Sequence, residues 1–355
     1  MVKINIGGEL TAGEILLLAA FPLYIGRYQK VIKIPEVAKI TCLGLLYLMS
    51  LIISDIFRNT TLVDCLRGWS KVGLMIFAIP LLGALYGGRE KRLAAYFFGL
   101  MCSPFLKIAL YGYEVDIYKF FIGYPISTLA FYFAGNKKIA FGRILPLAAG
   151  VLAFIMNSRS LAGITFVSGL FNFMNSSKEK LSSVSQKKVI LNIVIISLSA
   201  LIVAQMYTLA APQGWLGEAA REKFIAQSSE SSTGEFSVLS GRPELFFSFP
   251  KIIEPPLIGH GSWARDEDFY VSRSRELGLR ISESVRERGL IPTHSHFFGA
   301  WVEAGLLGAF FWLIIAFKIA ESLLKGRLNR YRSLAPIVIF LMINFFWEIW
   351  FSPFG

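Results

Sequence analysis

The chain has 355 residues, of which 54% are hydrophobic and 17% are charged, with a net charge of +12 and a mean hydropathy of +0.56. This composition is too apolar for an ordinary soluble enzyme and predicts a membrane protein. The positive charge by itself would suit a nucleic-acid partner, but the basic residues cluster in short segments between apolar runs, so no nucleic-acid binding is expected.

Apolar runs follow one another along the chain, and several are long enough to cross a bilayer core of about 30 Å as helices. The runs cover residues 13–26, 38–57, 68–86, 93–110, 117–134, 139–157, 160–174, 189–210, 297–318 and 333–353. The first lacks the basic start and the cleavage site of a signal peptide, so we expect an uncleaved span. The pattern predicts an all-α fold, a polytopic transmembrane helical bundle of about 10 spans, within a range of about 10 to 12.

Lysine and arginine concentrate in alternate loops between these runs. The basic loops lie at residues 27–39, 87–92, 135–143, 178–188 and 325–332. By the positive-inside rule these loops face the cytoplasm. The long segment 211–296 and both termini then face the outer side of the membrane.

The chain is expected to contain three regions. Residues 1–157 hold the N-terminal transmembrane helices, residues 158–318 include the long loop 211–296, and residues 319–355 hold a loop and the last transmembrane helix. Cys42, Cys65 and Cys102 lie in or beside the apolar runs, so neither a disulfide framework nor a thiolate metal site is expected.

The segment 211–296 is polar, and a loop of this length in a compact membrane protein usually carries function. Two helices are predicted inside it. The first, Pro243–Ile253, has an apolar surface suited to the membrane interface. The second, about Ser272–Arg288, mixes Arg and Glu with aliphatic residues and predicts an amphipathic helix.

Two arginines stand at positions that favour anion binding. Arg159 lies between two apolar runs, where a guanidinium is costly unless it meets an anion or reaches the headgroups. Arg242 stands just before the helix that Pro243 begins, and helix N-terminal amides add to anion binding there. Each also has an unremarkable interpretation: Arg159 as a headgroup contact and Arg242 as a partner of Glu244.

The histidines are candidates for proton transfer. His294 lies at the outer start of a predicted membrane helix, and histidine exchanges protons near neutral pH. His296 follows two residues later, and two histidines at this spacing are also a candidate metal site. No acidic or cysteine pair stands at a ligand spacing, so no metal site is expected. The acidic run Asp266-Glu267-Asp268 is typical of a solvated surface. His260 lies between two glycines, a pattern that indicates a turn.

Glu303 lies in the predicted span 297–318, and a carboxylate there is either functional or paired. On a helical wheel it shares a face with His296, seven residues away, rather than with His294. A helix that starts near Pro292 would leave His294 before the first full turn and free to face a cavity.

Three short motifs in order resemble the signature region of the O-antigen ligase and polymerase superfamily. They are Ser158-Arg159; Ser240-Gly241-Arg242 with the later stretch Ile253 to Gly261; and His294-Ser295 with Glu303-Ala304-Gly305-Leu306-Leu307-Gly308. The resemblance covers roughly residues 150–315. Pro243 is followed by Phe246 and Phe247 where the family often has tryptophan, and the predicted spans are fewer than is common in the family, which leaves the subfamily open.

The resemblance implies a metal-independent, inverting glycosyltransferase in lipopolysaccharide or other polysaccharide biosynthesis, without a cofactor. The donor would be a glycan on undecaprenyl diphosphate, and the acceptor a hydroxyl of lipid A core or of another glycan. Arg159 and Arg242 would bind the departing diphosphate, since a guanidinium offers planar charged donors. His294 would take the acceptor's proton or hold the diphosphate, and Glu303 and His296 are further candidates for substrate binding.

Three functions stay open at this stage. We favour the ligase, because the second and third motifs resemble that type. The first alternative is an O-antigen or exopolysaccharide polymerase, which differs only in its acceptor. The second is a polysaccharide transporter or flippase, which would need broken helices or inverted repeats with charge at the bilayer midplane, and the sequence contains no repeat.

Overall fold

The structure is a computed structural model that describes residues 3–5, 9–111, 117–136, 139, 141–156, 158–175, 205, 207–215, 217–229, 244–279, 281, 283–324 and 333–352. Over these residues the chain is almost entirely helical, which confirms the predicted all-α class. The exception is a short antiparallel hairpin of β1 (Lys3–Asn5) and β2 (Glu9–Thr11).

The helices follow in chain order. The first group is α1 (Ala12–Val31), α2 (Pro35–Arg58), α3 (Leu62–Tyr86), α4 (Glu90–Tyr111), a π-helical turn (Tyr118–Ile122), α5 (Gly123–Gly135), α6 (Leu145–Ile155) and α7 (Arg159–Asn175). The second group is α8 (Glu218–Ser229), α9 (Glu244–Ile253), α10 (Glu267–Glu276), α11 (Glu283–Arg288), α12 (His296–Ala304), α13 (Leu306–Leu324) and α14 (Ala335–Phe351).

The chain divides into two compact units. Unit 1 contains Arg89–Ile225 and Lys318–Trp347, and unit 2 contains Val2–Gly88, Ala226–Phe317 and Glu348–Gly355. The core of unit 1 consists of apolar side chains from α4, α5, α7 and the start of α14, in which the rings of Phe131 and Phe340 stack with centroids 4.7 Å apart. Unit 1 also contains the packed pair α6 and α7.

Unit 2 is organised by the hairpin of α2 and α3. Pro35 begins α2, and Asn59 ends it in the left-handed conformation, φ 52°. The Thr61 hydroxyl then caps α3 by accepting a hydrogen bond from the Asp64 N–H at 3.3 Å. This tight turn brings the last turn of α2 and the first turn of α3 to the same end of the hairpin.

Three of the described helices are long and apolar enough to cross a membrane: Pro35–Arg58, Leu62–Tyr86 and Leu306–Leu323. The outer face of α2 carries large exposed apolar side chains, including Leu45, Met49 and Ile53, as lipid contact requires. The apolar helices α6 and α14 are shorter, at 11 and 17 residues. The predicted run 189–210 falls mostly outside the described residues.

Two predicted helices are broken in the structure. The run 297–318 was expected to be one span, but it is divided into α12 and α13 at Gly305, whose φ of 70° and ψ of −157° suit only glycine. The amphipathic helix 272–288 was also expected to be continuous. It is divided into α10 and α11, with Gly278 at φ 65° after the first. By contrast, the helix predicted at 243–253 is confirmed as α9.

Candidate functional site

The second and third sequence motifs meet in unit 2, where α9 packs against α12. Ser295 caps α12: its hydroxyl accepts from the Phe298 N–H at 3.1 Å and donates to the Ile349 carbonyl at 2.9 Å. The helix therefore begins at His296, and His294 precedes the cap. Ser248, on α9, reaches the same place, since its hydroxyl lies 3.3 Å from the Pro292 carbonyl.

His294 lies at the exposed edge of this junction. Its side chain is 51% exposed, and its Nδ1 is 3.5 Å from Oε1 of Glu244, the first residue of α9. This is an ion-pair distance that a small side-chain rotation would shorten to a hydrogen bond. Because Nδ1 faces the carboxylate, Nε2 is the nitrogen left to exchange a proton with a substrate.

A small pocket lies beside this pair, and we call it the His294 pocket. It is lined by Glu244, Leu245, Ser248, His294, Ser295, Phe298, Trp350 and Phe351. The second carboxylate oxygen of Glu244, Oε2, is buried and receives no hydrogen bond from the described part of the chain. A buried carboxylate oxygen without a donor is costly, so this atom marks the place where a donor is missing.

His296 points away from His294. Its Nδ1 lies 2.7 Å from the Ser352 carbonyl oxygen, and its ring meets the Trp312 ring edge-on at 4.8 Å. Burial lowers the pKa of His296, although backbone carbonyls of Ser352 and Glu348 oppose the effect. The buried, packed ring of His296 therefore has a structural environment, in contrast to the exposed ring of His294.

Glu303 does not pair with His296 as the helical wheel suggested. Its Oε2 lies 3.2 Å from the Lys71 ammonium, and its Oε1 accepts from the Trp263 N–H at 3.3 Å. Glu303 also precedes the break at Gly305, so it belongs to the nine-residue helix α12 rather than to the long apolar α13. A carboxylate with these two partners holds α3, the 257–265 loop and α12 together.

Two further carboxylates hold the same loop. Asp55, at the end of α2, accepts hydrogen bonds from the Ser262 N–H at 2.6 Å, the Ser262 hydroxyl at 2.8 Å and the Trp69 indole at 2.7 Å. Asp64, at the start of α3, accepts hydrogen bonds from the Arg265 guanidinium on both of its carboxylate oxygens, at 2.9 Å on Oδ2 and at 3.2 Å on Oδ1. We call Asp55, Asp64, Lys71 and Glu303 the anchor network.

The segment Gly259-His260-Gly261, where the glycines indicated a turn, packs on the end of α12. The His260 and Gly261 N–H groups donate to the Val302 and Glu303 carbonyls at 2.7 and 3.0 Å. A Cβ on Gly259 would collide with the Glu303 carbonyl, so only glycine allows this approach. Two pieces of sequence more than 40 residues apart thus form one backbone junction.

Lys251 forms a second charged cluster beneath the loop. Its buried ammonium lies 2.7 Å from Asp266 Oδ2 and 2.8 Å from Glu254 Oε2. Burial opposes its charged form, but the hydrogen bonds to both carboxylates prevail and raise the pKa of Lys251. Asp266 is thus not the solvated surface residue that its acidic neighbours suggested: it caps α10 and binds Lys251.

Of the two predicted arginines, Arg159 does not belong to the junction just described. Arg159 is the first residue of α7 in unit 1, where its Cζ lies 4.3 Å from the centroid of the Tyr207 ring. Arg242 lies outside the described residues. Glu244, two positions after Arg242, is the described residue that follows it in the sequence.

No group of three or more His, Cys, Asp or Glu arranged to hold a metal ion occurs among the residues that the structure describes. The two neighbouring histidines have different partners, Glu244 for His294 and the Ser352 carbonyl for His296. The expectation of a metal-free site stays a prediction, for which a chelator provides the test.

Sequence reasoning missed three charged residues of unit 2: Glu244, Lys71 and Asp55. Lys71 and Asp55 each lie in an apolar run, where an ionisable group is expected to have a partner. A search for opposite charges in other apolar runs would have included Lys71 among the candidate partners of Glu303. Glu244 was considered only as a partner of Arg242. No family model matches this chain, and a search of curated proteins finds no match either.

Proposed function

We propose that this chain is a polytopic bacterial inner-membrane glycosyltransferase with about ten spans, which transfers a glycan from undecaprenyl diphosphate to an acceptor hydroxyl on the periplasmic face. The observation that carries the proposal is that two chain segments, one just after Arg242 and one from the third motif, meet at one pocket. The start of α9 and the residues before α12, 50 positions apart, place Glu244 and His294 3.5 Å from each other.

His294 acts as the general base in this proposal. The acceptor hydroxyl gives its proton to Nε2 while its oxygen forms a bond to the anomeric carbon of the donor. The bond between that carbon and the diphosphate oxygen breaks, and its electron pair leaves with the diphosphate. Glu244 stabilises the imidazolium that forms, and its negative charge disfavours a diphosphate beside His294.

Arg159 and Arg242 would bind the diphosphate. Fixed guanidinium groups stabilise the charge that develops on the leaving oxygen, so the reaction needs no metal or nucleotide. The support for Arg242 is its place two residues before α9, near the helix N-terminus that opens at Glu244. The support for Arg159 is the family resemblance.

A polysaccharide transporter or flippase is the second candidate, and one observation favours it. The charged pair Lys71–Glu303 stands beside the helix break at Gly305, and broken helices with charge are typical of transport sites. Both Glu303 oxygens already contact this chain, however, which leaves them little capacity for cargo.

Deletion of the gene, followed by glycan analysis, tests the function. Free lipid A core together with accumulated lipid-linked polymer indicates a ligase, whereas core capped by a single repeat unit indicates a polymerase. Accumulation of lipid-linked repeat units on the cytoplasmic face would contradict both and favour a flippase. Purified protein with undecaprenyl-diphosphate glycan and lipid A core should make product in the presence of a chelator.

Reporter fusions test the side of the membrane. A reporter after Gln213 or Glu230 should report the periplasm, and one after Lys180 or Arg327 the cytoplasm, because basic loops stay inside. Reversed signals would place His294 on the cytoplasmic side and contradict the proposal.

A further inference from the structure

The Glu244 carboxylate lacks a hydrogen-bond donor at Oε2 although several polar groups are close to it. Ser248 has a single hydroxyl proton, and its oxygen is 2.9 Å from the Glu244 carbonyl and 3.3 Å from the Pro292 carbonyl. Ser295 donates its proton to the Ile349 carbonyl. Neither hydroxyl therefore has a proton left for Oε2, and the described pocket offers an acceptor without a matching donor.

The rest of the lining of the His294 pocket consists of Leu245 and three aromatic side chains. Phe298 comes from the first turn of α12, and Trp350 and Phe351 come from the last turn of α14. The Trp350 ring is held in place by the Phe297 ring, with centroids 4.9 Å apart. A carboxylate that accepts hydrogen bonds suits the hydroxyls of a sugar, and fixed aromatic rings beside it suit the apolar C–H face of the sugar ring.

We infer that the His294 pocket is part of the acceptor subsite, and that it takes one hydroxyl of the sugar ring that is glycosylated, because its free space of about 10 Å³ fits a single hydroxyl group rather than a whole ring. A neighbouring hydroxyl of that sugar donates to Glu244 Oε2, while Glu244 Oε1 orients His294 through Nδ1. This inference rests on the proposed function and adds to it the substrate that the pocket holds and a positioning residue, Glu244. The acceptor, rather than the donor diphosphate, occupies the pocket because the carboxylate repels an anion.

The pair of contacts explains how one residue couples binding to proton transfer. Glu244 brings the sugar and the imidazole to the two oxygens of a single carboxylate, so the attacking hydroxyl is held near Nε2. We take lipid A core as the acceptor, in keeping with the ligase. A lipid-linked glycan presents the same sugar hydroxyls, so the experiment includes both.

The test measures acceptor binding and transfer separately in Glu244→Gln, which keeps the shape of the side chain but removes its charge. The matched control is Glu276→Gln, because Glu276 is also a helical carboxylate of unit 2 and its side chain is 66% exposed. Equilibrium dialysis with labelled, delipidated core oligosaccharide gives the dissociation constant without donor. Transfer assays with lipid A core and with undecaprenyl-diphosphate glycan as acceptors give KM and kcat.

In Glu244→Gln we expect the dissociation constant and the acceptor KM to rise about tenfold, since a charged hydrogen bond is lost. The donor KM and the thermal unfolding midpoint should stay at the wild-type values. Trp350→Leu should weaken sugar binding in the same direction, and Glu276→Gln should match the wild type in every measurement. A rise confined to the lipid-linked glycan would assign the subsite to that acceptor and overturn the choice of lipid A core.

The outcomes separate the inference from the function. Wild-type transfer combined with unchanged acceptor binding and KM in Glu244→Gln would overturn the subsite and leave the glycosyltransferase intact. Wild-type sugar binding without any transfer would overturn the function while the pocket stays a sugar site. A wild-type protein that neither binds nor transfers would overturn both.

Discussion

The anchor network and the His294 pocket lie in the same unit and both contain carboxylates, yet they differ in how completely those carboxylates are paired. Asp55 accepts three hydrogen bonds, and Glu303 uses both oxygens. Glu244 has one oxygen at an ion-pair distance and one that receives no donor from the described chain. A carboxylate whose bonds are complete fixes a structure, whereas an incomplete one has capacity left for a ligand.

The largest effect should come from His294→Ala. Loss of the base should lower kcat for transfer about 10²- to 10⁴-fold, with an unchanged unfolding midpoint, because the side chain is 51% exposed and contacts only one carboxylate among the described residues. A purified transfer assay and a thermal melt make the measurement. Wild-type kcat would remove His294 from the mechanism.

His296→Ala is the matched variant for His294→Ala, and it should show the opposite pattern. The buried ring of His296 packs on Trp312 and contacts the Ser352 carbonyl, so its loss should lower the free energy of unfolding by about 2 kcal/mol. Transfer by the folded fraction should fall much less than in His294→Ala. Equal loss of kcat in both variants would support a joint role for the two histidines.

The second prediction concerns the two arginines. Arg159→Ala and Arg242→Ala should each lower kcat about 10²- to 10³-fold while the protein still inserts, because in the proposed mechanism each removes a charge that stabilises the leaving diphosphate. Lysine at either position should restore only part of the activity, since it lacks the bidentate fork. Full activity of either alanine variant would exclude that arginine from catalysis.

The third prediction addresses the anchor side of the comparison. Gly259→Ala should destabilise the protein by about 2 kcal/mol, because the new methyl group meets the Glu303 carbonyl. Gly73→Ala is the control, since nothing lies within 4 Å of a Cβ at that position. Chemical denaturation in detergent measures both. An unchanged free energy of unfolding for Gly259→Ala would show that the loop relaxes away from α12.

The smallest effect is a pH dependence of stability. Burial lowers the pKa of His260 in the folded chain, so the unfolded chain takes up a proton first as the pH falls below about 6.5. Stability should therefore decrease from that pH down to the lower folded pKa. Burial opposes ionisation of Asp266, but the hydrogen bond from Lys251 prevails and lowers the pKa of Asp266. The stability that the ionised Asp266 contributes to the fold is therefore lost only at more acidic pH, below about 3.9.

His260→Gln should remove part of this pH dependence. Its unfolding midpoint should fall less than that of the wild type between pH 7 and pH 5, as a thermal melt at the two values would show. His296 titrates with the same sign, because its pKa is also lowered, so a residual slope is expected. An identical slope in both proteins would exclude His260 as a contributor.

Local signals in the sequence predicted the parts of the site that short stretches determine. Proline near the start of α9, serine at the cap of α12 and glycine on both sides of His260 each act within a few residues. The pairing of Lys71 with Glu303 joins residues 232 positions apart, and no local pattern encodes that distance. The break at Gly305 was missed for the same reason: the run around it is apolar apart from Glu303 and Lys318, and the Leu257 carbonyl that excludes a side chain is remote in sequence.

The end of α12 also has a consequence for the order of folding. Its last four carbonyls, Trp301 to Ala304, accept hydrogen bonds from the N–H groups of Gly305, His260 and Gly261 and from the Ser50 hydroxyl. Ser50, His260 and Gly261 are all synthesised before α12, so their donors exist when the helix emerges. The helix can therefore end within an apolar environment without bare carbonyls, provided that the earlier segment is already docked on α2. A defect in that segment should thus appear first as failed maturation of the nascent chain rather than as an altered property of the mature protein.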